Sequence, residues 1–342
     1  MSPGACRNGK VWENKSRPFL GISRERPLSD DRPLVSVIIP TYRRPNLLLR
    51  AVRCALSQTL RNIEVMVVID GPDEETATAL QGIEDSRLQV LTLMTNCGPS
   101  AARNSALEAA GAQWVAFLDD DDEWMPEKLE LQHKAATQSS HRYLILSCRF
   151  IARTQRGDLV WPGRLPHRDE RLDEYLFCQH NLFGGEGMVL PTTILTQTEL
   201  ARRVPFDPGL RRHGDIDWLI RAVQMEGCRV EFIPDSRPLA IWNLEPGSTR
   251  ISATASWQQS LNWALTHRAR LSPRAVAGFL LTWTSLGART QGQWTAFFRL
   301  PVFAFRLGTP RFVDLLAHLI IWLIPSGLRN RISIFLQKVR RK

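Results

Sequence analysis

Residues 114–122 read WVAFLDDDD. The five apolar residues from Trp114 to Leu118 form the kind of short run that marks a buried strand. The run leads straight into four carboxylates. Side by side they repel one another, and each disfavours ionisation of the next. A divalent cation removes that cost, and Asp oxygens are hard ligands suited to Mg2+ or Mn2+. In extended backbone, positions i and i+2 share a face, so Asp119 and Asp121 are expected to point the same way, with Asp122 following on the turn. The plain alternative is a solvated acidic turn ahead of a helix predicted over Pro126 to Gln138. The position after a buried strand favours the metal and a nucleotide.

The pattern repeats upstream. LVSVIIP (Leu34 to Pro40), IEVMVVI (Ile63 to Ile69) and Leu88 to Met94 read as further strands. Between them, Asn46 to Leu60 carries Leu48, Val52, Ala55 and Leu56 at helical spacing. Thr76 to Ile83 is also helical, and Ser100 is placed to cap a helix running to Ala110. Strands alternating with helices at short intervals predict an α/β fold, a parallel sheet with helices on both faces. Such sheets bind ligands beyond the carboxyl ends of their strands. There this chain places Thr41 to Arg44, Asp70 and the Asp119 to Asp122 run.

The net charge of +10 over 342 residues invites a nucleic-acid reading until it is located. Residues 268–342 hold 13 Lys or Arg and one acid, Asp314, leaving about −2 for the rest. The excess is thus confined to one segment, which argues against nucleic acid as a partner. The six cysteines (Cys6, Cys54, Cys97, Cys148, Cys178, Cys228) show no CxxC or CxxH spacing. They read as reduced, mostly buried thiols of a cytoplasmic protein, without a zinc site. Residues 1–33 are polar, lack the apolar run of a signal peptide and are expected to be disordered.

Four segments in order, LVSVIIPTYRR (34–44), VVIDG (67–71), NCGPSAARN (96–104) and FLDDDDEW (117–124), resemble family 2 glycosyltransferases of the GT-A fold. The resemblance spans about residues 34–235 and implies inverting transfer from a nucleotide-diphosphate sugar, usually a UDP-sugar, with Mg2+ or Mn2+. By position it implies that Pro40, Thr41, Tyr42 and Arg44 hold base and ribose. Asp70 would contact the base, Arg103 and Asn104 would lie near the nucleotide with Asp119 and Asp120, and Asp119 and Asp121 would be the metal-binding pair. Two residues depart from the family pattern: Ile69 where a second acid is common, and Arg43 where Asn is common.

An attacking hydroxyl needs a base. RRHGDIDWLIR (211–221) resembles the family motif that opens a helix on the catalytic acid, with Asp215 at the base position and Gly214 replacing the usual Glu or Gln. Helix-start geometry by itself lowers an acid's pKa. Asp217 is expected to pair with Arg221 at i+4. His213, Thr192, Thr193 and Trp242 are weaker candidates for phosphate, acceptor or sugar contacts, each equally at home in loop, strand or core.

Beyond about residue 236 these motifs stop, and the absence of QxxRW disfavours a processive synthase. Trp257 to Thr266 and Pro273 to Trp283 look helical. No segment reaches the roughly 20 apolar residues of a spanning helix. The nearest, Phe312 to Ile324, carries Arg311, Asp314 and His318 on one stripe. Basic residues among apolar helices suit the surface of an anionic membrane. Three regions are therefore expected: a tail (1–33), a GT-A domain (34–235) and a helical, basic region (236–342) lying peripherally on the inner face of the cell membrane. The acceptor would be a glycan or lipid-linked. Two rival readings remain: a nucleotidyltransferase, for which Pro40 to Pro45 lacks a Gly-rich, Lys-bearing phosphate loop, and a non-catalytic nucleotide-binding module.

Overall fold

Strand β1 (Val35–Thr41) is buried along its whole length. It pairs in parallel with β2 (Ile63–Ile69) on one side and β4 (Trp114–Phe117) on the other. Beyond β2 lies β3 (Leu88–Leu93), also parallel. The computed structural model that shows this describes residues 12–13, 32–155, 157–180, 182, 187–244, 256–329, 331–332 and 335. The disorder expected over 1–33 falls mainly outside them; Trp12 and Glu13 pair antiparallel with the outer edge of β3.

The chain divides into two units, Met1–Cys148 with Leu190–Trp242, and Arg149–Val189 with Asn243–Lys342. The sequence pattern marks a change near residue 236 but gives no sign of the excursion at Arg149–Val189.

In the first unit, helix α1 (Pro45–Leu56) starts on a proline, whose fixed φ suits a first helical turn. It buries Leu48, Ala51, Val52, Ala55 and Leu56. Helix α2 (Glu74–Gln81) is capped by Asp73, whose side chain accepts from the Thr76 N–H at 3.2 Å. Helix α3 (Pro99–Ala109) starts after Gly98 at φ 91°, not on a Ser100 cap. The Ser100 hydroxyl instead reaches the Leu210 carbonyl, at 3.5 Å. The remaining elements of this unit are β5 (Glu123–Trp124), α4 (Lys128–Gln138), β6 (Tyr143–Ser147), β7 (Leu195–Gln197), α5 (Thr198–Arg203), α6 (Gly214–Ala222), β8 (Cys228–Phe232) and β9 (Ala240–Asn243).

The main sheet runs β3-β2-β1-β4-β7-β6-β8, with β7 antiparallel to both neighbours. The chain walks outward from β1 to β3, then returns to the far side of β1 as β4. The carboxyl ends of β1 and β4 therefore flank a switch point, where open α/β sheets bind ligands. Thr192 and Thr193, considered for a strand, lie in a buried 3-10 turn (Pro191–Thr193).

The second unit holds a hairpin of strands Phe150–Thr154 and Gly157–Trp161 and a helix at Leu172–Phe177. Helices Trp257–His267, Pro273–Phe279, Ser285–Thr290, Thr295–Leu307 and Phe312–Leu323 follow, with a π-helical segment at Leu280–Thr284. Phe177, Trp263, Phe279 and Trp283 pack ring to ring within it.

Pro301 sits inside helix Thr295–Leu307 and has no N–H to offer the Phe297 carbonyl four residues back. His318 fills that gap: its Nε2 lies 3.0 Å from Phe297 O, an atom that only accepts. Trp322 Nε1 donates to Ser285 Oγ at 2.7 Å, and Ser285 Oγ lies 2.9 Å from His318 Nδ1. The hydroxyl therefore donates to Nδ1, and the proton of the neutral ring is on Nε2. Asp314, also buried, pairs with Arg311. The polar stripe read from the sequence is thus the inner face of its helix. No helix among the described residues is long and apolar enough to cross a membrane. The five described cysteines are free thiols, Cys148 and Cys178 buried and the others half-buried.

Candidate active site

The turn after β4 is closed by Asp122 N–H donating to Asp119 O at 3.1 Å. The acidic run is therefore a turn rather than the extended segment expected. Its alternation nevertheless survives: Asp120 and Asp122 are buried, whereas the side chains of Asp119 and Asp121 keep 33% and 15% of their exposure. The inward Asp120 accepts from Thr41 Oγ1 at 2.7 Å and meets Arg44 Nη1 at 3.2 Å. Arg44 also reaches Asp121, at 3.4 Å. The end of β1 and the turn after β4 are thereby tied together across the switch point. Burial pushes Asp120 up to about 6, partly offset by the charge of Arg44.

Asp119 turns the other way. Its Oδ1 takes a 2.5 Å ion pair from Arg103 Nη2, on the second turn of α3. The Arg103 guanidinium also lies 5.5 Å over the Phe206 ring. Phe206 stacks on Trp218 and meets Phe117 edge-on, so this arginine rests on a rigid aromatic floor. Its Nε is buried without a hydrogen-bond partner.

Asp215 is in the first turn of α6, half-buried. Desolvation raises its pKa, against the charge of Arg103 and the backbone N–H groups at the helix start; the Asp119 charge raises it further. The lowering expected from a helix start is present but outweighed. Arg103 and Asp119 thus act electrostatically on Asp215, although 96 residues separate the two aspartates in sequence.

Gly214 has a geometric reason. A Cβ there would come within 2.7 Å of Ser100 Oγ, so a larger residue would require that hydroxyl to turn aside. Asp217 pairs with Arg221 at 2.7 Å, as the i+4 spacing implies.

Three other candidates have partners of their own. Asp70 is buried, and its two oxygens accept from Cys97 N–H at 2.7 Å and Gly98 N–H at 2.8 Å. It fixes the turn into α3, and burial raises its pKa. Asn104 clamps Phe206, donating to its carbonyl at 2.8 Å and accepting from its N–H at 2.9 Å. Pro40 is buried inside β1. Tyr42 is exposed, with the Arg43 guanidinium 5.0 Å over its ring.

The match to residues 36–203 is to the family described as "Glycosyl transferase family 2". The chain belongs to glycosyltransferase family 2.

This family 2 glycosyltransferase is similar to the amylovoran biosynthesis glycosyltransferase AmsB of Erwinia amylovora, at 27% identity over 70% of this chain and 80% of that one. It is 37% identical to WfgD of Escherichia coli, named a UDP-Glc:alpha-D-GlcNAc-diphosphoundecaprenol beta-1,3-glucosyltransferase, over 30% of this chain and 40% of that one. Among solved structures, the mannosyltransferase PcManGT from Pyrobaculum calidifontis, in complex with GDP-Man and Mn2+, shares the fold. Its TM-score is 0.51 at 18% identity, over 91% of this chain and 88% of that one. The fold is GT-A.

Among the described residues no group of three or more His, Cys, Asp or Glu forms a ready metal cage. Mg2+ and its analogues are commonly held by one or two carboxylates plus substrate phosphates, and Asp119 with Asp121 supplies donors of that kind. The unpartnered Arg103 Nε is a donor left over for an anion.

The sequence reading gave Arg50 and Arg211 no role, and named Arg43 only as a departure from the family pattern and His213 only as a weaker candidate. Arg50 donates to the Asp121 carbonyl at 3.1 Å and pairs with Glu123 at 3.3 Å, bracing the turn. Arg211 is close enough to Asp70 to lower its pKa. Arg43 and His213 adopt left-handed backbone, at φ 55° and 62°, a costly conformation that often marks functional loops. His213 is buried, and desolvation pushes its pKa down to about 3, with the nearby Arg212 acting the same way. The ring is therefore neutral and unsuited to pair with phosphate by charge. Local pattern could not pair the acidic run with its arginines, because Arg44 and Arg50 come from the start of α1 and Arg103 from α3, distant in sequence.

Proposed function

We propose that this family 2 glycosyltransferase is inverting and non-processive, and moves a sugar from a nucleotide-diphosphate donor, a UDP-sugar, to a hydroxyl of a lipid-linked glycan. Its product would serve surface polysaccharide or lipid-linked glycan synthesis, and the protein would work peripherally on the inner face of the cell membrane. The observation that carries this reading is the electrostatic coupling of Asp215 to Arg103 and Asp119. One carboxylate with a raised pKa stands near a donor-gripping turn, with a buried arginine between them in charge.

In this reading Tyr42, Thr41 and Arg44 border the base and ribose with Asp70. Asp119 and Asp121 would hold Mg2+ or Mn2+, which when bound would supply charge to neutralise that growing on the leaving diphosphate. Arg103, resting on Phe206 and paired with Asp119, supplies positive charge beside the same anion. Asp215 takes the proton of the acceptor hydroxyl as that oxygen attacks the sugar carbon from the face opposite the diphosphate. Its raised pKa strengthens it as a base. The UDP preference draws on the donor named for WfgD, and the lipid-linked acceptor on the acceptor in that name. The metal draws on the Mn2+ of the mannosyltransferase complex.

The test is Asp215→Asn. Donor binding should stay within about twofold, while turnover should fall on the order of 10²–10⁴-fold, the usual worth of a general base. The acidic limb of the wild-type rate should lie above the ordinary carboxylate range. A variant that keeps full turnover removes Asp215 from the chemistry.

A further inference from the structure

Helices Thr295–Leu307 and Phe312–Leu323 of the second unit are turned inside out. The first buries Ala296, Leu300 and Ala304 and leaves Phe298, Val302 and Phe305 exposed at 71%, 49% and 63%. The second buries Asp314 and His318 and exposes Phe312 at 81% and Leu323 at 67%. The inward polar groups have partners: Asp314 holds Arg311, and His318 satisfies the carbonyl that Pro301 leaves open. On the second helix nothing polar takes their place outside. An outward face of large apolar residues, repeated on two successive helices, calls for an apolar medium.

Charge identifies that medium. At about 100° per residue, Phe298, Val302 and Phe305 fall on one narrow stripe, with Arg299 and Arg306 together along one flank. Both arginines are exposed. Residues 268–342 carry thirteen basic side chains and a single acid, Asp314, which is buried and paired. A second copy pressed on this face would bring like charges together, which disfavours self-association. A helix of 13 residues is only about 20 Å long, too short to span a bilayer. It can lie in the interface, apolar stripe down, with arginine stems reaching up to headgroups. Trp294, half exposed just before the first helix, has the side chain most favoured at that depth.

We propose that helices Thr295–Leu307 and Phe312–Leu323 form an interfacial anchor that lies in the headgroup layer of an anionic lipid bilayer. Phe298, Val302, Phe305, Phe312 and Leu323 enter the acyl boundary, and Arg299 and Arg306 meet lipid phosphates. This gives the peripheral placement proposed above its surface, and rests on that reading only for which membrane is met.

The test uses the full chain and vesicles of phosphatidylcholine with or without phosphatidylglycerol. The wild type should co-sediment with the anionic vesicles and about tenfold less with neutral ones. Phe298→Ser with Phe305→Ser, both at exposed positions, should cut anionic binding about tenfold or more. Arg299→Gln with Arg306→Gln should erase the preference for phosphatidylglycerol. Brominated acyl chains should quench part of the tryptophan fluorescence, and Trp294→Phe should remove that part. Binding of UDP with Mn2+ by the same variants should be unchanged, which separates loss of the anchor from loss of the donor site. The proposal is overturned if the wild type stays in the supernatant with both vesicles, if the double Ser variant binds as the wild type does, or if the face instead holds together a lipid-free dimer that this variant dissociates.

Discussion

Gly214 occupies the position where the family usually has Glu or Gln, and its reason lies in another helix. With Ser100 Oγ only 2.7 Å from where its Cβ would be, α6 starts against the hydroxyl of α3's first turn. Asp215 is the next residue, so a shift at that contact is felt one position from its carboxylate. Gly214→Ala should displace the Ser100 hydroxyl from the Leu210 carbonyl and shift the start of α6. The expected cost is about 1–3 kcal/mol of stability, as for other overpacked sites, together with a fall in turnover larger than the loss of donor binding. Ser100→Ala removes the obstructing oxygen. Added to Gly214→Ala, it should restore most of the stability, giving a coupling free energy of about 1 kcal/mol in a double-mutant cycle of thermal or urea unfolding. Simple additivity of the two changes would mean that the close approach does not position α6.

Elements divide sharply into those legible from local pattern and those set by distant contacts. Strands β1, β2, β3 and β4 were readable because each is a short apolar run, and the loops that follow them carry polar groups costly to bury without purpose. Asp217 with Arg221 was readable because i+4 spacing is local. Ser100 was misjudged as a cap because Gly98, in left-handed backbone, already ends the loop before it. Least legible was helix Phe312–Leu323, whose polar stripe points inward. The sequence shows Arg311, Asp314 and His318 in line but not the distant Pro301 that frees a carbonyl for His318. That pairing makes a pH prediction. Burial holds His318 below its ordinary pKa, outweighing its bonds to backbone carbonyls, so the folded state keeps the ring neutral. The unfolded chain takes up the proton more readily. The stability His318 contributes is therefore intact above the unfolded value of about 6.5 and is lost as pH falls through it. His318→Phe should lower stability near pH 7 by about 1–3 kcal/mol, leaving Phe297 O without its donor and the Ser285 hydroxyl without its acceptor. It should also flatten the fall in melting temperature between about pH 7 and 5. An unchanged slope would take His318 out of that titration.

Across the whole molecule, charge is sorted by region: near balance up to residue 267, and +12 over residues 268–342. The proposed donor site, built of paired Arg and Asp, belongs to the near-neutral part of the sequence and the apolar helical surface to the basic part, so the two are testable apart. The proposed donor site concentrates carboxylates Asp119, Asp120 and Asp121 beside Arg44 and Arg103, none of them arranged as a closed cage among the described residues. An anionic nucleotide with a divalent cation should therefore bind cooperatively, each supplying charge the other lacks. A ligand at a hundredfold its Kd stabilises the native state by about 2.7 kcal/mol, which for a chain of this size corresponds to roughly 4 °C in Tm. In a thermal-shift panel of UDP-, GDP- and dTDP-sugars, a UDP-sugar with Mn2+ should give a rise of that order, and Mn2+ or the sugar alone much less. Ile69, standing where a second acid is common next to Asp70, makes the choice of base the point at which this panel discriminates most. Asp121→Asn should abolish the Mn2+ dependence while leaving the melting temperature without ligand within a few degrees. A chain whose melting point no nucleotide sugar moves, with or without the cation, has no donor site where β1 and β4 diverge.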